Sequence, residues 1–288
     1  MIVVTGATGA IGRALVARLR GHDVLAVVRR PADDLGCPYT LADFDEPESI
    51  GRLLSPGDRL FLNSSLWPGV VDAQRAVIDL AARAGVARVV AVSVRHAAPG
   101  ARLGMGMHGL IDAHLRASGL PWSILQPSGF MQNLPRDFGD GVMYGSYGSA
   151  PVNYIDTRDI ADAAAALLTG RAGAAGATGA ADVAGAAAPG RDHLLTGPAS
   201  LSHERIAEEV GAFLGHPLRY VDLPVPEMAA HLERQGLPGP QAEDLARLMA
   251  EMGDGSWAEV TSEVRDLTGH PPRPLSAFLA DHASAFRR

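Results

Sequence analysis

The chain has 288 residues, 47% hydrophobic and 20% charged, with a formal net charge of −7, which describes a globular protein and excludes a dedicated nucleic-acid binder. All 25 basic residues are arginine, so every mechanism that needs a lysine amine is excluded, from P-loop phosphate binding to Schiff-base and Tyr-x-x-x-Lys chemistry. The most apolar stretch, 76–94, is broken by Asp79, Arg83 and Arg88, so no membrane span is expected.

Met1 to Val4 is a short β-branched run, followed by TGATGAIG and by Leu15, Val16 and Leu19 at helical spacing over 13–20. The pattern reads as strand, phosphate loop and helix. Further apolar strands follow at 24–28, 60–62, 89–92 and 122–125, with the third strand in chain order ending before Asp43 of LADFD. Helical patterns lie between them at 48–54, 70–84 and 103–118. Strands alternating with helices imply a Rossmann-type, doubly wound parallel sheet, and their continuous apolar character implies burial on both faces. Residues 139–149, rich in Gly, Ser and Tyr, read as a loop beyond the strand ends. A helix over 158–168 is capped by Asp156 and Thr157. The stretch 170–190 is nearly all Ala, Gly and Thr and reads as a low-complexity loop. A strand over 193–196 and a helix over 202–214 with a capping Ser202 follow. The last 70 residues read as a smaller, mainly helical, proline-punctuated cap. The expected division is a dinucleotide-binding domain over 1–155, with 156–288 holding the remaining Rossmann elements and the substrate cap.

Gly6, Gly9 and Gly12 sit between a strand and a helix, where missing side chains let the backbone approach a pyrophosphate at the helix N-terminus. After the second strand the chain reads VVRRP, with no acid for a ribose hydroxyl. Arg29 and Arg30 stand where a 2′-phosphate lies, so NADP(H) is expected over NAD(H). Asp43 follows the third strand within reach of an adenine. Ser64, with Ser65, follows the fourth, where it lines the cofactor channel or simply forms the loop. The residues ahead of the loop at Gly6 carry no basic n-region, so a signal peptide is not expected and a cytoplasmic protein is. Cys37, alone, forms no intrachain disulfide and reads as a packing residue.

Four segments carry a resemblance: TGATGAIGRALV at the start, HGLIDAHLRASGLPWSILQPSGFMQN from His108, VNYIDTRDIADAAAALL from Val152, and HLLTGPASLSHERIAEEVGAFLG from His193. The chain resembles the NmrA-like group of atypical short-chain dehydrogenases/reductases, which includes NADPH-dependent quinone reductases and non-enzymatic redox sensors. The resemblance implies that the loop from Gly6 through Thr8, Gly9, Ala10 and Ile11 to Gly12 holds pyrophosphate. It implies Arg29 at the 2′-phosphate and the backbone from Gln126 through Pro127 to Phe130 beside the nicotinamide. The dehydrogenase lysine position falls on His108 and the tyrosine position on Gly104. Gln126 replaces the group's usual Arg before Pro127.

Without that dyad, reduction of an ordinary ketone lacks its proton donor, whereas a quinone, enone or imine demands far less. His108 is therefore the candidate acid, or a ribose anchor, with helix packing as the alternative. Asp112, one turn later, is expected either to orient it through an i, i+4 contact or to cap the surface. Ser93 ends the fifth strand, where dehydrogenases keep a serine, as a cofactor contact or a local hydrogen-bond donor. Trp67, Phe130, Asn133 and Tyr147 are the candidate walls of a pocket for a small aromatic or conjugated substrate, since ligands of open α/β sheets bind at strand carboxyl ends. Tyr144 shares the loop of Tyr147. No histidine shows metal-ligand spacing, and no metal is expected. The reading is an NADPH-dependent oxidoreductase of soft acceptors, and the alternative is a non-catalytic NADP(H) sensor. A homodimer is compatible with either.

Overall fold

Runs of three to six mostly aliphatic residues form the framework of the first of two compact units. The computed structural model describes residues 1–139, 141–172 and 190–286. The first unit comprises Met1–Pro127, Thr157–Leu195 and Ser262–Pro271. Its strands are β1 (Ile2–Val4), β2 (Val24–Val28), β3 (Tyr39–Leu41), β4 (Arg59–Leu62), β5 (Arg88–Val92), β6 (Trp122–Pro127) and, from later in the chain, β11 (Arg191–Leu195). They form one seven-stranded sheet in the order β11-β6-β5-β4-β1-β2-β3, and every pairing is parallel. The helices of this unit are α1 (Ala10–Arg18), α2 (Pro47–Gly51), α3 (Val70–Ala84), α4 (Leu103–Ala117), α5 (Thr157–Thr169) and α9 (Glu263–Thr268).

Strand period places Val3, Leu60, Leu62, Val89, Ala91 and Ile124 on one face, where they share a core with α3 and α4. Alternate residues Val4, Phe61, Val90 and Leu125 are equally buried on the face taken by α1 and α5, which pack on each other. Burial on both faces accounts for strands without polar alternation. The fold is the expected Rossmann-type, doubly wound sheet. Arg18 of α1 pairs with the buried carboxylate of Asp162 on α5, tying the first helix to the last of its layer.

The second unit comprises Ser128–Asp156, Thr196–Thr261 and Pro272–Arg288. Where the sequence implies one cut near residue 155, the chain passes repeatedly between units, because α5, β11 and α9 belong to the sheet layers of the first. Its strands are β7 (Gly129–Phe130), β8 (Phe138–Gly139), β9 (Val142–Gly145), β10 (Val152–Ile155), β12 (Ser200–Leu201) and β13 (Arg219–Asp222). Its helices are α6 (His203–Leu214), α7 (Val225–Arg234), α8 (Gly239–Met252) and α10 (Leu275–His282). The expected helical cap is present as α7 packed on α8, and Ser202 caps α6 by accepting from the Arg205 amide. Two three-stranded sheets, β12-β10-β7 and β13-β9-β8, add strand content that the sequence reading lacks. The stretch 139–149 is thus not simply a loop. Val142 and Met143 are buried in β9, which pairs with Arg219 and Tyr220 of β13 across a long sequence separation. The Ala/Gly-rich stretch expected as a loop falls largely on 173–189, outside the described residues. Among the described residues no helix is long and apolar enough to cross a membrane.

Asn153 holds the small sheet of β10 together. Fully buried, its Oδ1 accepts from the Ser128 hydroxyl at 2.7 Å and the Gly197 amide at 2.8 Å. Its Nδ2 donates to the carbonyls of Gly197 and Ala199 at 3.2 and 3.1 Å. Asn153→Ala strands these groups without water, and we expect a loss of about 2–4 kcal/mol in urea unfolding. A change within about 0.5 kcal/mol would show that the network contributes nothing net.

Candidate cofactor and active site

β1 ends at a buried hydroxyl. Thr5 Oγ1 lies 3.0 Å from the carbonyls of both Phe61 and Asn63 and accepts from the Asn63 amide at 2.9 Å. It thereby fixes the carboxyl ends of β1 and β4, the neighbours at which strand order reverses and a crevice opens. Gly6 follows at φ +63°, and a Cβ there would fall 2.6 Å from the Asn63 carbonyl oxygen. A Cβ on Gly12 would fall 2.1 Å from the Gly6 carbonyl oxygen, so only glycine lets α1 start against the loop. Gly9 is the N-cap of α1 and no side chain caps that terminus. Thr8, Gly9 and Ala10 are exposed; the Gly9 amide donates to the Gly6 carbonyl at 3.1 Å, while the first-turn amides of Ala10 and Ile11 face no helical acceptor and suit an anion, Ile11 offering only backbone because its side chain is in the core. A glycine cradle at a free helix N-terminus fits the pyrophosphate of a dinucleotide.

Arg29 and Arg30 follow β2, both exposed, and neither makes an ion pair with any described residue. Two unengaged guanidinium forks there suit a 2′-phosphate. Asp43 is half-buried, and its carboxylate accepts from the Asp45 amide at 3.2 Å, a local turn rather than an open acceptor pair. The sequence reading misses Arg13, whose Nε donates to the Thr8 carbonyl at 3.1 Å and whose Nη1 meets Asp34 at 2.7 Å. That guanidinium braces the phosphate loop and holds the Asp34 carboxyl below its ordinary range. Thr5 and Asn63 are missed too, although their places at the ends of apolar strands mark them.

At the carboxyl end of β5, Ser93 is buried and donates to Asp112 Oδ2 of α4 at 2.6 Å. Its hydroxyl is therefore committed within the protein. Burial pushes Asp112 up to about 6 against the lowering effect of that hydrogen bond. His108, one turn earlier, is pushed down to about 4 by burial, and its ring makes no hydrogen bond to a described residue. At neutral pH it is an uncharged imidazole, a hydrogen-bond donor and not a stored acid. Gly104 packs beneath Leu66, whose Cδ1 lies 2.4 Å from where a Cβ would stand. The loop between β5 and α4 is strained, with His96 at φ +60° and Leu103 at +47°. Ser64 accepts from Gln74 of α3 at 2.8 Å. Trp67 packs on Phe44, ring centroids 5.9 Å apart, at the edge of the first unit's core. Pro127 ends β6 and its carbonyl accepts the Arg95 amide.

Within the second unit Phe130 is half-buried and Asn133 exposed at the start of a 3₁₀ turn, Met131–Asp137. Tyr147 departs from the open-loop expectation. It is buried, stacked on His203 at 3.6 Å and 6°, and burial holds its phenol well above its ordinary pKa. Tyr144 packs on His231 at 4.6 Å. Glycine and serine around these tyrosines mimic loop composition, while the Tyr147 ring is buried and the Tyr144 ring half-buried.

The buried pair on α4 makes opposite contributions to stability. His108 loses proton affinity on folding, so its contribution rises with pH between about 4 and 6.5, whereas Asp112 gains proton affinity and its contribution falls between about 3.8 and 6. Each tilt is on the order of 3 kcal/mol, and the two largely cancel. His108→Gln should therefore make stability fall with pH across this window relative to wild type, and Asp112→Asn should make it rise. Urea midpoints from pH 4 to 7 check both, and parallel curves for all three proteins would contradict the assignment.

Residues 6–171 match the model of the NAD(P)H-binding family. The chain is 31% identical to the (4-alkanoyl-5-oxo-2,5-dihydrofuran-3-yl)methyl phosphate reductase of Streptomyces griseus, over 99% of each chain. It is 30% identical to the NAD(P)H azoreductase of Xenophilus azovorans, again over 99% of each. Its fold is shared by the NADPH complex of the Escherichia coli quinone oxidoreductase QOR2, with a TM-score of 0.81, 24% identity and coverage of 98% and 99% of the two chains. The fold expected from the NmrA-like resemblance is also that of a solved NmrA, with a TM-score of 0.68 at 15% identity. From the glycine cradle to these full-length relatives, the observations agree that this chain is an oxidoreductase belonging to the NAD(P)H-binding family.

Proposed function

We propose that the protein is an NADPH-dependent reductase of soft, conjugated acceptors, a quinone, an enone or an imine, working without a tyrosine–lysine dyad. The carrying observation is the state of α4 and β5: Gly104 and His108 occupy the dyad positions, His108 is buried and neutral, and Ser93 is turned onto Asp112. No stored acid in that set protonates an alkoxide at neutral pH. Reduced nicotinamide, when bound, supplies a hydride ion. The chain's part is to hold pyrophosphate on the amides of Thr8, Ala10 and Ile11, grip a 2′-phosphate with Arg29 and Arg30, and offer the neutral His108 N–H as a donor. Phe130 and Asn133 are the candidate acceptor walls, with Trp67 and Tyr147 serving as packing rings behind the chemistry.

Acceptors suited to such a site yield weakly basic products. A reduced quinone is a phenolate that takes its proton from water, and a reduced iminium is a neutral amine that needs none. The relatives support the class, since one is named for a conjugated oxo-dihydrofuran and another for azo compounds.

Steady-state NADPH oxidation with a quinone, an enone, a cyclic imine and an unactivated ketone tests the reading. Saturable turnover with at least one of the first three and none with the ketone is expected. Arg29→Ala should raise KM for NADPH about tenfold or more while leaving KM for NADH nearly unchanged. Ketone reduction at a comparable rate would overturn the dyad-free mechanism. Equal effects of Arg29→Ala on both cofactors would overturn the 2′-phosphate assignment.

A further inference from the structure

The second unit contains a cavity of about 270 Å³ that the candidate acceptor walls do not line. Its floor is Met131 and Leu134 of the 3₁₀ turn, Val152 and Tyr154 of β10, Ile206 of α6 and Leu275 of α10. All six are buried. Two local periodicities set this floor apart from the acceptor face. Residues three apart share a face of a 3₁₀ turn, so Met131 and Leu134 point together while Asn133 lies a third of a turn away and is exposed. On β10, Val152 and Tyr154 face the cavity while Asn153 faces the opposite side, into its hydrogen-bond network.

Size and lining select the ligand. Apolar cavities of about 150 Å³ accept benzene, so this volume admits one or two fused rings. The Tyr154 hydroxyl is committed to His203 Nε2 at 2.8 Å, so the tyrosine gives the cavity its ring and no free donor. The acidic member of the lining is Glu209. Its Oε1 accepts from Arg205 Nε at 3.1 Å, and its Oε2 makes no hydrogen bond to a described residue. A neutral O–H or N–H donor satisfies that oxygen, an anion is repelled by it, and Arg205 already supplies the cation. We propose that this cavity is a second ligand site, for a neutral planar aromatic of one or two rings that carries one hydrogen-bond donor. The inference is independent of which acceptor the enzyme reduces.

The test is isothermal titration of the full-length protein with 2-naphthol, 2-methoxynaphthalene and naphthalene-2-carboxylate. Binding of 2-naphthol is expected, with the methyl ether about tenfold weaker and the carboxylate weaker still. Ala199 and Ser276 also line the cavity but are exposed, so Ala199→Trp and, separately, Ser276→Trp fill its mouth without touching the core. Each should abolish naphthol binding while leaving NADPH affinity and the far-ultraviolet spectrum unchanged, which separates a filled site from a misfolded one. Naphthol affinity retained in both variants places the ligand elsewhere and overturns the proposal. So does an absence of binding to the wild-type protein, and so does equal affinity for the carboxylate.

Discussion

The first unit is organised around one buried hydroxyl, that of Thr5. Where β1 and β4 end side by side, the Phe61 carbonyl accepts the Thr5 amide, and the half-buried carbonyl and amide of Asn63 beyond β4 come up against the same residue. Thr5 Oγ1 sits among the carbonyls of Phe61 and Asn63 and the Asn63 amide. A hydrogen bond in such surroundings is stiffer than one in water, and an unmade one costs more. With that junction rigid, Gly6 must turn against the Asn63 carbonyl and Gly12 must pass beneath Gly6, leaving no room for a Cβ at either place. The N-terminus of α1 is thus positioned by packing rather than by a capping side chain, and its amides stay available. Arg13 extends the same logic outwards by joining the loop carbonyl of Thr8 to Asp34 beyond β2.

Charge is distributed to match. Arginines with no described ion-pair partner stand exposed at the rim, at positions 29 and 30, where the proposed 2′-phosphate would replace their hydration. Inside, burial drives ionisable groups towards neutrality, with His108 held down and Asp112 held up. An interior of this kind stabilises developing charge poorly, which is the physical basis of the proposed preference for acceptors that delocalise it themselves. The lysine-free composition and the dry α4 interior therefore point to the same chemistry from different sides.

Most of the first unit was legible because its signals are local. The run Val24–Val28, the 3.6-residue spacing of Val70–Ala84 and the loop TGATGAIG each specify their element without help from elsewhere. The cap on Ser202 was legible for the same reason. What escaped depends on partners distant in sequence. β9 lies between β8, just before it, and β13, more than 70 residues later, and nothing in GVMYGSYGS announces the second pairing. Tyr147 looked like a loop aromatic because its composition neighbours are Gly and Ser, yet His203 gives it a stacking partner. Ser93 is expected at the cofactor or in a local hydrogen bond, and its partner in the latter, Asp112, lies 19 residues away on α4. Arg13 was hidden differently, since an arginine on an exposed helix face carries no mark of the acid it meets.

The short turn after β7 carries a constraint that neither of its faces reveals alone. Met131 and Leu134 are held in an apolar floor while Asn133, between them, is exposed. A 3₁₀ turn has poor hydrogen-bond geometry and little stiffness of its own, so its backbone position is set by whichever face packs more tightly. Here that is the buried face, which makes the orientation of Asn133, and of Phe130 at the N-cap, a consequence of how well Met131 and Leu134 are filled from behind. Methionine is a forgiving filler, able to change rotamer without losing contact. Altering the volume behind this turn by a methyl or two therefore acts on the candidate acceptor face without touching it. Differences in acceptor preference between this chain and its relatives can then arise from residues such as Ile206 and Leu275, which a comparison confined to pocket-facing positions would pass over.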